Sequence, residues 1–92
     1  MTVLTEKQLS ERLQLVPEWR LENGTIWRDL TFPDFPAAVA FVNKVAAVAE
    51  AAGHHPDIDI RWNKVHLVLV SHDAGSLTER DFSVAAKIDE ID

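Results

Sequence analysis

The 92-residue chain contains no cysteine. That excludes a disulfide brace, a thiol nucleophile and a zinc site built on thiolates, and it fits a reducing compartment. Basic residues are scarce: nine Lys and Arg stand against fifteen Asp and Glu, for a formal net charge of −6, and the nine form no run. Nucleic-acid affinity rests on clustered Lys and Arg, so no nucleic-acid partner is expected. Long apolar runs are also missing. The most apolar stretch, residues 35–52, is interrupted by Asn43, Lys44 and Glu50, so no membrane span is expected. The opening MTVLTEKQLSERL lacks the basic-then-apolar layout of a signal peptide. There is no repeat, low-complexity segment or linker, and residues 1–92 read as one soluble, acidic, cytoplasmic domain. A chain this short buries only roughly 60–65% of the surface its unfolded form exposes, so self-association is an expected source of further burial.

What is present reads as alternating short elements. Thr5-x-x-Gln8 is a capping box with Leu4 and Leu9 as its staple, opening a helix on which Leu9 and Leu13 share a face and which Pro17 closes. Trp19–Glu22 and Thr25–Phe32 flank Asn23-Gly24, a strong hairpin signal. Asp34 caps a long helix with Pro36 in its first turn, and Phe35, Val39, Val42, Val45 and Ala49 form its apolar stripe. Gly53 suits a left-handed helix end, and Pro56 prevents continuation. Ile58, Ile60 and Trp62 alternate with polar residues as a third strand, and Asn63-Lys64 offers a tight turn. Val65, Leu67 and Leu69 then line one face of a fourth strand and His66, Val68, Val70 and His72 the other. Thr78 caps a last helix, stapled by Leu77 and Phe82, with a stripe of Phe82, Ala85 and Ile88. The order α-β-β-α-β-β-α predicts an α+β fold: a four-stranded antiparallel sheet with three helices packed on one face.

The chemistry-bearing candidates are Glu50, His54, His55, His72 and Asp81. If the third and fourth strands form a hairpin, the start of one lies beside the end of the other. That brings His54 and His55 towards His72 at one edge of the sheet. Glu50 and His54, four apart across a helix end, are placed to meet. Three readings stand side by side. Three histidines and Glu50 could ligate zinc, although no His-x₃-His or His-Glu-x-x-His pattern is present. A histidine cluster could transfer protons, since imidazole titrates near neutral pH. Or each residue is ordinary: Asp81 fits a helix cap as well as a direct role, and the mid-strand His66 reads as a plain surface residue. No serine triad and no Gly-rich phosphate loop accompany them.

The spacing Glu50-x₃-His54-His55-Pro56-x₅-Trp62-x₉-His72-x₈-Asp81 resembles the motif of the pterin-4a-carbinolamine dehydratase family. Trp19, Asp34-Phe35, Asn63-Lys64-Val65 and His72-Asp73-x-Gly75-x-Leu77-Thr78 are similar to the family's flanking text, so the resemblance spans nearly the whole chain. It implies the same element order and a hydro-lyase that dehydrates 4a-hydroxytetrahydropterin to quinonoid dihydropterin, within tetrahydrobiopterin recycling. The family needs no metal and no cofactor.

Carried over by position, the resemblance implies catalytic roles for His54, His55 and His72. His55 is the base at N5, and His54 and His72 hold or protonate the leaving oxygen. Glu50 is implied to orient His54. Main chain at Gly53 and from Ser71 to Asp73 meets the pterin, Trp19 walls the pocket, and Asp81 completes the set. The sequence departs from the family at Gly53, often Asp or Asn there, at Ile58, often Trp, and at Trp62, often Tyr. A homodimer or homotetramer is implied, with a small-molecule pterin as substrate. The competing reading is a non-catalytic dimerisation or transcriptional cofactor module, working through the Ala-rich face of residues 37–52.

Overall fold

Hydrogen-bonded caps divide the chain. In the computed structural model, which describes residues 2–91, the elements run α1 (Glu6–Leu13), β1 (Arg20–Glu22), β2 (Thr25–Thr31), α2 (Phe35–Ala52), β3 (Asp57–Arg61), β4 (Lys64–Leu69) and α3 (Glu79–Asp89). The capping box of α1 forms as expected: Gln8 N–H donates to Thr5 Oγ1 at 3.2 Å and Thr5 N–H to Gln8 Oε1 at 2.9 Å. Asp34 caps α2 by accepting from Ala37 N–H at 2.9 Å. Thr78 and Asp81 make a second capping box at the start of α3.

The four strands form one antiparallel sheet in the order β1-β2-β4-β3. The register places Ile26 opposite Leu69 and Leu30 opposite Val65, with Ile58 opposite Leu67 on the edge strand. Side chains alternate across a pleated strand, so these residues share one face. Ile26, Val65, Leu67 and Leu69 are buried there against Phe41 and Val45 of α2 and Phe82, Ala85 and Ile88 of α3. Leu9 and Leu13 of α1 pack at the margin of the same core. The other face carries Trp27, Asp29, His66 and Asp59, with the Trp27 and His66 rings 5.4 Å apart. One covered and one open face is the arrangement an antiparallel sheet tolerates. The expected α+β architecture is therefore the observed one.

Three local expectations are corrected. The stripe that α2 buries is Ala38, Phe41, Val45 and Ala49, whereas Phe35 is 50% exposed. Val45 and Ala49 belong to the stripe as expected, while Phe35, the first residue of the helix, stays largely in solvent. Next, Arg61 pairs with Lys64, so the tight turn is Trp62-Asn63 rather than Asn63-Lys64. The left-handed φ of 54° falls on Trp62. Asn63 instead ties the turn to the end of β2, its side-chain amide donating to the Phe32 carbonyl at 2.9 Å. Trp62 thus lies outside β3, largely exposed.

Gly53 closes α2 at φ 64° and ψ 27°. Its N–H donates to the Glu50 carbonyl and the His54 N–H reaches back to the Ala49 carbonyl, both at 3.2 Å, which is a Schellman closure. A Cβ at residue 53 would meet nothing within 4 Å, so only backbone conformation selects glycine. Asn and Asp are the side-chain-bearing residues that best tolerate this conformation, which accounts for the family's use of them here. Gly53→Ala is expected to cost about 1–2 kcal/mol in urea denaturation, and Gly53→Asn less than Gly53→Ala.

Candidate active site

The Schellman closure sets the directions of the two adjacent histidines. Once Gly53 has turned the chain, His54 points inward and His55 outward. His54 is 8% exposed, and its Nε2 lies 2.6 Å from Asp81 Oδ1. His55 is exposed, and its Nε2 lies 2.8 Å from Glu50 Oε1. The i, i+4 spacing predicts a Glu50–His54 pair, and the structure replaces it with Glu50–His55. An i, i+4 contact needs the helix to continue through both residues, and the left-handed Gly53 stops it.

Asp81 caps α3 and also meets His54, and the two contacts use different oxygens. Oδ2 accepts the Thr78 N–H at 2.9 Å, which is the capping function. The same oxygen accepts the Ser71 hydroxyl at 2.8 Å. Oδ1 faces His54. Ser71, Thr78 and Asp81 are all fully buried. A buried carboxylate is tolerable only when donors saturate it, and here main chain, hydroxyl and imidazole surround it.

Ser71 reaches this centre because β4 runs out beside the start of β3. The ladder ends at Asp57 opposite Val68. Continuing that register sets His54 opposite Ser71, and the shared contact with Asp81 agrees. His72 follows directly, at the head of a tight loop closed by the Ser71–Ser76 bridge. Its carbonyl accepts from Gly75 N–H at 3.1 Å. The His72 ring is exposed and makes no hydrogen bond among the described residues. Asp73 is also exposed. Its carboxyl is held below the usual range chiefly by the hydrogen bond from the Arg80 guanidinium, which ties the loop to α3.

The structure therefore brings together His54, Ser71 and Asp81 directly, Glu50 with His55 alongside, and His72 and Asp73 in the adjoining loop. Trp19 stands apart. It is buried in the core, and its indole N–H donates to Asp89 Oδ1 at 2.8 Å, at the far end of α3. Eight residues of helix separate Asp89 from Asp81, about 12 Å of rise. Trp62 is also remote, since β3 places it about 16 Å from the histidine end of the hairpin. The hydroxyl lost on replacing Tyr by Trp at that motif position is thus lost far from the histidines.

A cleft of about 260 Å³ opens beside His54, lined by Ala52, Glu79, Arg80, Ser83, Val84 and Lys87. The larger groove, about 460 Å³, includes Asp29, Asp59, Arg61 and His66 of the open sheet face and none of the motif residues. The chemistry of the side chains, not the size of the depression, marks the site. Among the described residues no group of three or more His, Asp or Glu side chains is placed to hold a metal ion, so the ligand set required by the zinc reading is not assembled.

Comparison with known proteins decides the family. The family model described as pterin 4 alpha carbinolamine dehydratase matches residues 2–91. The chain belongs to that family. A relative from Chloroflexus aurantiacus is 58% identical over 91 residues, covering 99% of this chain and 98% of its own. One from Acidobacterium capsulatum is 59% identical over 91 residues, covering 99% of each. Both carry the provisional name pterin-4-alpha-carbinolamine dehydratase. The crystal structure of a transcriptional coactivator/pterin dehydratase from Brucella melitensis superposes with a TM-score of 0.90 at 31% identity, over 96% of both chains. A pterin dehydratase-like protein identified as a RuBisCO assembly factor of the alpha-carboxysome shares the fold at TM-score 0.62 and 24% identity, over 77% of this chain and 82% of its own.

The missed features are the side-chain role of Ser71 and the partnership of Asp81 with His54. A hydroxyl immediately before the strand-end histidine, ten residues from a helix-capping aspartate, is the signal that carries the first.

Proposed function

We propose that this member of the dehydratase family converts 4a-hydroxytetrahydropterin to quinonoid dihydropterin and water by proton transfer through histidines. The observation that carries the reading is the pair of acid–imidazole contacts made by the two histidines of one loop, His54 with Asp81 of α3 and His55 with Glu50 of α2. The C4a–O bond breaks, the N5–H bond breaks, and the N5 electrons form the C4a=N5 double bond. His55, steadied by Glu50, takes the N5 proton. His54, held by the Asp81 carboxylate, protonates the departing hydroxyl, with His72 holding that oxygen. The exposed His55 then returns its proton to solvent and His54 is recharged. Every proton in this scheme moves between pterin, water and imidazole, each transfer contributing about 10²–10⁴-fold. Main chain at Gly53 and from Ser71 to Asp73 borders the substrate, and the product feeds tetrahydropterin recycling in the cytoplasm by a homodimer or homotetramer.

Stopped-flow absorbance with chemically generated 4a-hydroxytetrahydropterin tests this. The protein is expected to accelerate dehydration well above the buffer rate, and a rate equal to buffer would sink the proposal. A non-catalytic dimerisation module is the second reading. Exposed Ala40, Ala47 and Ala51 on α2 and the coactivator description of the Brucella protein favour it. A partner that remains bound after His55→Ala would support it.

A further inference from the structure

The side-chain chain that ends on His54 has only one consistent direction for its protons. Thr78 N–H is a main-chain donor and cannot reverse, so Asp81 Oδ2 is an acceptor there. Ser71 carries a single hydroxyl proton, and that proton is directed to the same Oδ2 at 2.8 Å. Ser71 Oγ also lies 2.8 Å from Thr78 Oγ1. With the Ser71 proton already committed, Thr78 must be the donor in that bond. Thr78 Oγ1 in turn accepts from Arg80 N–H at 3.3 Å. The order is Arg80 N–H to Thr78 hydroxyl, Thr78 to Ser71, and Ser71 to Asp81.

Two donors converge on Oδ2 beside the N-terminus of α3, so Asp81 meets its neighbours as an acceptor. The 2.6 Å contact at Oδ1 is therefore a donation from His54 Nε2–H. His54 keeps that proton whether its ring is neutral or charged. The nitrogen left to exchange protons with a ligand is Nδ1.

We propose that Ser71 is a positioning residue which, acting through Asp81, locks His54 in the Nε2–H tautomer, so that Nδ1 is the atom through which His54 passes protons. The identity of the ligand rests on the dehydratase reading, whereas the tautomer does not. The side chain of Ser71 is fully buried, so it contributes by aiming Asp81 rather than by touching the pterin. Without it, Oδ2 keeps only the Thr78 N–H. Oδ1 is then no longer held in place as the acceptor facing Nε2, and the opposite tautomer of His54 becomes populated.

The test uses the intact protein labelled with ¹⁵N-histidine and two-bond ¹H–¹⁵N ring spectra at alkaline pH, where the rings are neutral. Wild-type His54 is expected to show a protonated Nε2 and a free Nδ1. Ser71→Ala is expected to give mixed tautomers at His54 alone. Loss of one charge-assisted hydrogen bond should lower kcat for dehydration about tenfold with KM nearly unchanged. Ser71→Thr, which keeps the hydroxyl, is expected to restore both. A wild-type Nδ1–H tautomer overturns the proposal whether or not any variant folds. So does a Ser71→Ala protein with wild-type ring shifts and kcat. If wild type lacks dehydratase activity while the His54 tautomer responds to Ser71 as stated, the positioning role stands and the dehydratase reading falls.

Discussion

Asp81→Asn is expected to fold and to lose dehydration by about 10³–10⁴-fold, the scale set by histidine catalysts forced into the wrong tautomer. The amide has one acceptor and one donor end. Thr78 N–H is an immovable donor, so the amide oxygen must stay on the Thr78 side. The NH₂ group then faces His54 Nε2, at the position of the present 2.6 Å contact. Two donors cannot share that distance, so His54 gives up its Nε2 proton and carries it on Nδ1. The ring remains in place but presents the wrong nitrogen.

Asp81→Ala is harsher, because it also removes one acceptor of the α3 capping box and leaves Thr78 N–H and His54 Nε2 without their partner in a buried site. Removing one partner of a buried charged pair costs about 3–5 kcal/mol. A domain of this size has about 5–14 kcal/mol in all. Thermal denaturation should therefore show a large fall in Tm for Asp81→Ala and a small one for Asp81→Asn. An Asp81→Asn protein with a wild-type rate would leave Asp81 a purely structural cap and end its assignment to His54.

Much of this arrangement is legible before any coordinates, because its parts obey local rules. The two capping boxes, the Asn23-Gly24 hairpin and the Gly53 helix end each depend on a few neighbouring residues, and all of them form. The alternation of Val65, Leu67 and Leu69 identifies the buried face of β4, and the pairing of β3 with β4 follows from their short connection. What sequence spacing cannot resolve is direction. The i, i+4 rule assigns Glu50 to His54 only if the helix runs on, and a single left-handed residue exchanges the partners. Trp19 carries a family signal, yet its indole is directed into the core by Asp89, seventy residues away. The contact of Ser71 with Asp81 depends on the end of β4 meeting the start of α3, a tertiary fact with no periodicity to betray it. The pairing of β2 with β4 in the centre of the sheet is of the same kind.

The division between a buried and an exposed acid–histidine pair yields the second large effect. His55→Ala is expected to lower kcat by about 10²–10⁴-fold, the range for loss of a general base. Yet the His55 side chain is 61% exposed and its partner Glu50 is 81% exposed. Nothing buried is uncovered by truncating it, and surface changes of this kind alter stability by only about 0.5 kcal/mol or less. Activity and stability should therefore separate in His55→Ala, where they fall together in Asp81→Ala. Glu50→Gln keeps a hydrogen-bond acceptor for Nε2 and removes the charge. Its kcat should lie between wild type and His55→Ala, because an amide oxygen steadies the ring but stabilises its protonated form less than a carboxylate does. Paired urea melts and stopped-flow rates on the three variants check this. A His55→Ala protein with a wild-type rate would shift the base to His72, the other exposed imidazole at this end of the sheet.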